Sequence, residues 1–276
     1  MIKRYGEYIT ESADLDWQIL KASEDGDTNK VEELLNGGAN IEFGIPGGKT
    51  PLMVASKYGN TETVKLLLNR GAKIEARDNG GCTSLGWASS FGRTEIVKLL
   101  IDNNADIESK DIDGVTPLIT AVMNSEIKTV KLLLEYGANT EVKNKDSDTS
   151  LLIAIYNHDN PDTDIAKLLI KSGANTNVKT RHGDTPLILS SINGDYECVK
   201  MLLEYCADIK IYNNHLLNKS CLYYHKEIWE DDKIQELIIT GQPQNIKFFD
   251  DKIGILPTLK LKYKEVIEMS EMGIFG

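Results

Sequence analysis

One phrase recurs along this chain at a fixed interval, and that interval constrains the fold more than any other feature. Thr50-Pro51-Leu52-Met53-Val54-Ala55 returns as Thr83-Ser84-Leu85-Gly86-Trp87-Ala88 and as Thr116-Pro117-Leu118-Ile119-Thr120-Ala121. Weaker copies begin at Thr149 and Thr185. The starts lie 33, 33, 33 and 36 residues apart, which is a repeat period and not an accident of composition. A second phrase keeps step: Gly38-Ala39-Asn40, Gly71-Ala72-Lys73, Asn104-Ala105-Asp106, Gly137-Ala138-Asn139, Gly173-Ala174-Asn175 and Cys206-Ala207-Asp208.

Each copy predicts two short helices and an extended return. The leading Thr can N-cap a helix with its hydroxyl, and Pro suits the first helical position, where no amide partner is needed. Leu52 and Ala55 share one helical face, as do Leu85 with Ala88 and Leu118 with Ala121. Gly59, Gly92 and Gly194 break that helix. A second apolar stripe follows in Val64, Leu67 and Leu68, in Val97, Leu100 and Ile101, and in Val130, Leu133 and Leu134. Gly71, Gly137 and Gly173 stand where a left-handed C-terminal cap is expected. Two such helices cannot bury both stripes alone. Stacking like neighbours does so, and the core becomes a line of interfaces.

These residues resemble the ankyrin repeat family, whose pattern is Gly-x-Thr-Pro-Leu-His-x-Ala, then Gly, then Val-x-x-Leu-Leu, then Gly-Ala-Asp. The resemblance implies an all-α repeat solenoid of stacked helix-turn-helix units, each with a β-hairpin, capped at both ends. The family's His is absent from every copy, where Met53, Gly86, Ile119, Leu152 and Ile188 stand. Its hydrogen bonds between repeats must be replaced by apolar contact, so some interfaces are expected to be softer. Residues 1–13 read as an N-terminal extension and 14–212 as an array of about six repeats, the first a polar cap over Asp14 to Leu35. Residues 213–243 resemble a degenerate repeat and 244–276 a C-terminal capping segment with one Pro-led helix; a separate binding tail is the alternative.

Composition narrows the partners. The net charge of −11 argues against non-specific binding to nucleic acid or to an anionic membrane. No stretch approaches the ~20 apolar residues of a membrane span, and Met1 to Glu11 contains no hydrophobic signal centre. Cys82, Cys198, Cys206 and Cys221 form no Cys-x-x-Cys pair, which fits reduced thiols in a cytoplasm. His158, His182, His215 and His225 share no helical face at metal spacing with other ligands. The insertion from His158 to Asp164 is rich in oxygen ligands, but it reads as a solvated loop and not as a cation site. Gly47-Gly48 and Gly80-Gly81 serve hairpin geometry and cradle no phosphate. No nucleophile sits in a recognisable frame. The expectation is a monomeric, non-enzymatic protein with no cofactor and no metal.

In the family, partners dock on the concave surface built from hairpin tips and first helices. The matching column offers Tyr58, Phe91, Met123, Tyr156 and Ile192, side chains of the kind interface centres favour. Peripheral core between adjacent repeats is the other reading of that column. Arg77, Lys110, Lys143 and Lys179 make a basic column at the hairpins, two residues after Glu42, Glu75, Glu108 and Glu141. Residues i and i+2 point to one side of an extended segment, which predicts a mutually neutralising charge ladder. The alternative is an anion-binding strip in which Arg77 and Lys110 meet a partner. Lys65, Lys98, Lys131, Lys167 and Lys200 read as a solvated face of the second helices.

Met1 to Glu11 resembles the N-terminal targeting peptides of proteins packaged inside the heads of large tailed bacteriophages, with Ile9-Thr10-Glu11 as the cleavage site before Ser12. That resemblance implies an effector delivered with DNA to block a host protein. An ordinary N-terminus packed on the first repeat is the other reading. The leading expectation of function is a module that binds an as yet unidentified protein. The alternative is a virus- or phage-encoded inhibitor.

Overall fold

The leading threonines act as N-caps in all five copies of the phrase. The hydroxyl oxygens of Thr50, Thr83, Thr116, Thr149 and Thr185 accept from the amides of Met53, Gly86, Ile119, Leu152 and Ile188 at 3.3–3.5 Å. The computed structural model describes residues 11–44, 47–156, 163–193 and 195–205. They divide into two compact units that meet in sequence between Lys145 and Asp146. The first holds α1 (Glu11–Asp25), α2 (Thr28–Asn36), α3 (Pro51–Tyr58), α4 (Thr61–Asn69), α5 (Ser84–Ser90), α6 (Thr94–Asp102), α7 (Pro117–Met123) and α8 (Ile127–Glu135). The second holds α9 (Ser150–Tyr156), α10 (Thr163–Lys171), α11 (Pro186–Asn193) and α12 (Tyr196–Glu204).

Within the first unit the helices stack in two rows. One row is α1, α3, α5 and α7, and the other is α2, α4, α6 and α8; each helix also packs on its own pair-mate. The second unit repeats the arrangement with α9 on α11 and α10 on α12. This is an all-α repeat solenoid. Leu52, Leu85 and Leu118 from the first row meet Val64, Leu67, Val97, Leu100, Val130 and Leu133 from the second, all at most 1 % exposed. Burying each such side chain favours folding by about 1.5–3 kcal/mol. The third member of each stripe (Leu68, Ile101, Leu134) is only half-buried, because one further residue turns it about a quarter of the way round the helix.

The vacant histidine position is filled as chemistry requires. Met53, Ile119, Leu152 and Ile188 are buried there, while Gly86 leaves room for the Cys82 thiol, whose sulfur lies 2.7 Å from where a Cβ would stand. Polar ties between repeats come from elsewhere. Thr28 pairs with Thr63 at 2.9 Å and Thr94 with Thr129 at 3.1 Å. Asn60 donates to the carbonyls of Ser23 and Glu24, and Arg93 donates to that of Lys57. Asymmetric substitutions at one position thus leave the stack intact.

No strand occurs among the described residues. The expected hairpins are tight turns, each closed by two backbone bonds: the amides of Asp78, Asp111 and Thr180 donate to the carbonyls of Cys82, Val115 and Asp184, and those of Gly81, Gly114 and Gly183 donate back to the carbonyls of Asp78, Asp111 and Thr180. Asp78 and Asp111 each take two further amides of their own turn on one carboxylate oxygen. Backbone bonds then link neighbouring tips, from Asn79 to Gly47, Ile112 to Gly80 and Lys145 to Asp113, the last joined by an ion pair between the same two residues at 3.2 Å. The expectations for residues 1–10, 157–162 and 206–276 lie outside the described residues. They include the targeting-type peptide, most of the insertion loop, the degenerate repeat and the C-terminal cap.

Candidate functional site

The partner column sits where the first helices end. Tyr58 is the last residue of α3, Phe91 follows α5 as its C-cap, Met123 ends α7 and Tyr156 ends α9. A residue there has a neighbouring helix on one side and the turn on the other, so the side chain is only partly covered. Tyr58 is 43 % exposed, Phe91 39 %, Met123 51 % and Tyr156 47 %. Ile192 belongs to α11, and its side chain lies outside the description. The first unit brings Tyr58 and Phe91 to one place, and Tyr156 belongs to the second.

What joins Tyr58 to Phe91 is a lysine. The Lys57 ammonium lies 4.9 Å from the Tyr58 ring centre and 5.2 Å from that of Phe91. It is also 5.7 Å from Trp87, whose ring stacks on Phe91 at 6.0 Å and 21° because the two stand one helical turn apart. Lys49 covers the same indole at 4.1 Å. The indole N–H donates to Asp78 at 2.9 Å, so a turn residue fixes the ring. Cation–ring contacts of this kind contribute about 0.5–1 kcal/mol at exposed sites. Sequence reasoning did not single out Trp87 or Lys49. The available signal was size: Trp87 stands in the column that elsewhere holds Val54, Thr120, Ile153 and Leu189.

The charge ladder is corrected. Glu42, Glu75 and Glu108 do not face the basic column. Their carboxylates accept the backbone amides of Lys73, Asp106 and Asn139 in the next repeat, at 2.7, 2.8 and 2.7 Å. The reason is that the segment is curled and not extended. The amides of Phe43, Ala76 and Ser109 donate to the carbonyls of Asn40, Lys73 and Asp106, closing a turn around each glutamate, and at Asn40 and Asp106 the side chain also takes the glutamate's own amide. The basic column is exposed at Arg77, Lys110, Lys143 and Lys179. Arg77 is used internally, its guanidinium donating to the carbonyls of Gly81 and Lys110. The solvated face of the second helices is exposed at Lys65, Lys98 and Lys131 and half-buried at Lys167 and Lys200.

In the second unit Tyr156 borders a cleft of about 180 Å³ with Arg181, His182 and Asp184. Arg181 pairs with Asp146 at 3.1 Å and donates to the His182 ring, which leaves the cleft braced by its own side chains. Cys82 and Cys198 are unpaired thiols, each pushed up to about 12 by burial, with Asp78 beside the first and Asp195 beside the second adding to the shift. They are poor nucleophiles at neutral pH. Among the described residues no group of three His, Cys, Asp or Glu side chains gathers as a metal site, and no helix is long and apolar enough to cross a membrane.

A family model described as ankyrin repeats matches the chain in three copies, over residues 19–111, 108–180 and 151–230. No curated protein matches the chain at significance.

Proposed function

The chain belongs to the ankyrin repeat family, and from that premise we propose that it is a non-enzymatic module that binds a protein partner. Repeats of this family are generally protein–protein interaction modules. The binding surface in this proposal is the set of first-helix ends and hairpin tips, with Tyr58, Phe91, Met123, Tyr156 and Ile192 as apolar contacts and Arg77 and Lys110 at the tips. The observation that carries it is the exposure of Tyr58 and Phe91 around one lysine, on a helix row whose opposite side is fully buried. Unpaired Cys82 and Cys198 support a reducing, cytoplasmic setting.

The test is capture from lysate by wild type, by a Tyr58→Ala/Phe91→Ala variant and by Tyr156→Ala, each checked for unchanged helical content. Truncating an anchoring aromatic costs about 2 kcal/mol or more, so the double variant is expected to lose the partner. Equal capture by all three proteins removes this surface from consideration. Tyr156→Ala reports on the second unit separately. If the captured protein is an enzyme whose activity falls on binding, the module is an inhibitor; if its activity is unchanged, it is a scaffold.

A further inference from the structure

The geometry points to an acidic segment as the ligand of the Trp87 cluster: a stretch of a partner protein that sets Asp or Glu beside an aromatic or large aliphatic side chain. The inference rests on the protein-binding reading above and names the chemistry of what is bound. Its basis is a local imbalance of charge. The chain has 42 acidic residues against 31 basic ones, yet Lys49 and Lys57 meet aromatic rings and, among the described residues, no carboxylate. The carboxylate that enters the cluster, that of Asp78, is taken up by N–H donors and not by either lysine. Asp78 takes the amides of Gly80 and Cys82 on one oxygen and the Trp87 indole on the other.

Both lysines are half-buried, and a ring lies over one side of each ammonium. An ammonium has three donors, and a ring face meets only one side of it. The donors left over suit carboxylate oxygens, while the exposed parts of Tyr58 and Phe91 suit an apolar side chain placed between those charges. Because the rings hold the lysines in place, less side-chain freedom is lost on binding than at an ordinary surface lysine. A single-stranded nucleic acid also combines anions with stacking groups. Two lysines on a chain of net charge −11 are a weak match for a continuous phosphate backbone, which favours the peptide.

The test is selection of a displayed random peptide library on wild type and on Lys49→Glu/Lys57→Glu, followed by titration of the best synthetic peptide. The expected result is enrichment of Asp and Glu next to Phe, Trp or Leu on wild type. Reversal of the lysines should lower affinity for that peptide by at least about tenfold, and added salt should weaken it on wild type. Peptides without acidic residues, or acidic peptides bound equally by the reversed variant, overturn the inference while leaving the binding reading intact. No enrichment on wild type overturns the inference, and the lysate capture decides the binding reading separately. Tighter binding of a single-stranded oligonucleotide than of any peptide also overturns it. So does a wild-type dimer that Lys57→Glu dissociates, since the occupant is then a second copy. A Lys57→Gln variant, which removes the charge but keeps most of the side chain's length, separates loss of charge from loss of packing.

Discussion

Ser125 and Ser147 hold backbone angles that suit glycine, with φ of 56° and 68°. Ser125 stands 33 residues after Gly92 and Ser147 33 after Gly114, so each takes a place where the repeat elsewhere has glycine in the same left-handed region. A Cβ is strained there. Ser125→Gly and Ser147→Gly are each expected to stabilise the fold by about 0.5–1 kcal/mol, read as a higher urea midpoint. Cys82 gives a pH dependence with a definite sign. Its thiol is pushed up to about 12 when folded, against ~8.5 in an unfolded chain. Above pH ~8.5 the unfolded chain sheds the proton and the folded chain keeps it, so stability present below that pH is lost as pH rises toward about 12. The loss is at most ~1.4 kcal/mol per pH unit, and Cys82→Ala should be less sensitive than wild type between pH 7 and pH 10.

At the scale of the element, the glutamate column is the joint between repeats. Glu75→Ala removes the acceptor of the Asp106 amide and should cost about 1 kcal/mol, because the bond is charge-assisted but exposed. Glu75→Gln keeps an acceptor and should recover part of that loss; a urea titration of both variants decides it. The helices were legible in the sequence because a threonine cap, a proline and a 3.6-residue stripe are all local signals. Thr50 to Leu67 could be placed from spacing alone. The glutamates were legible as a column but not as joints, since their partners lie 31 residues ahead and exist only once the repeats stack. The inference that Glu and Lys stand side by side failed for one reason: it took a curled turn for an extended strand. Trp87 was missed on similar grounds, because its partners Lys49, Lys57 and Asp78 come from three different segments.

For the molecule as a whole, stability is spread along a row of like interfaces and not gathered in one centre. The joints repeat with the same reach each time, Glu42 to Lys73, Glu75 to Asp106 and Glu108 to Asn139. Excision of residues 76–108 therefore leaves Glu75 facing the Asn139 amide across the same 31-residue reach that it now has to Asp106. The shortened chain is expected to keep a cooperative unfolding transition, with lower helical signal by circular dichroism in proportion to the residues removed. An excision ending a few residues short, which puts α3 and α7 out of phase, should weaken or broaden that transition. Length in this protein is accordingly quantised: the gene can gain or lose whole links by duplication or deletion and still encode a stack, whereas a fractional step has to be absorbed in a loop, as the three extra residues between Thr149 and Thr185 are.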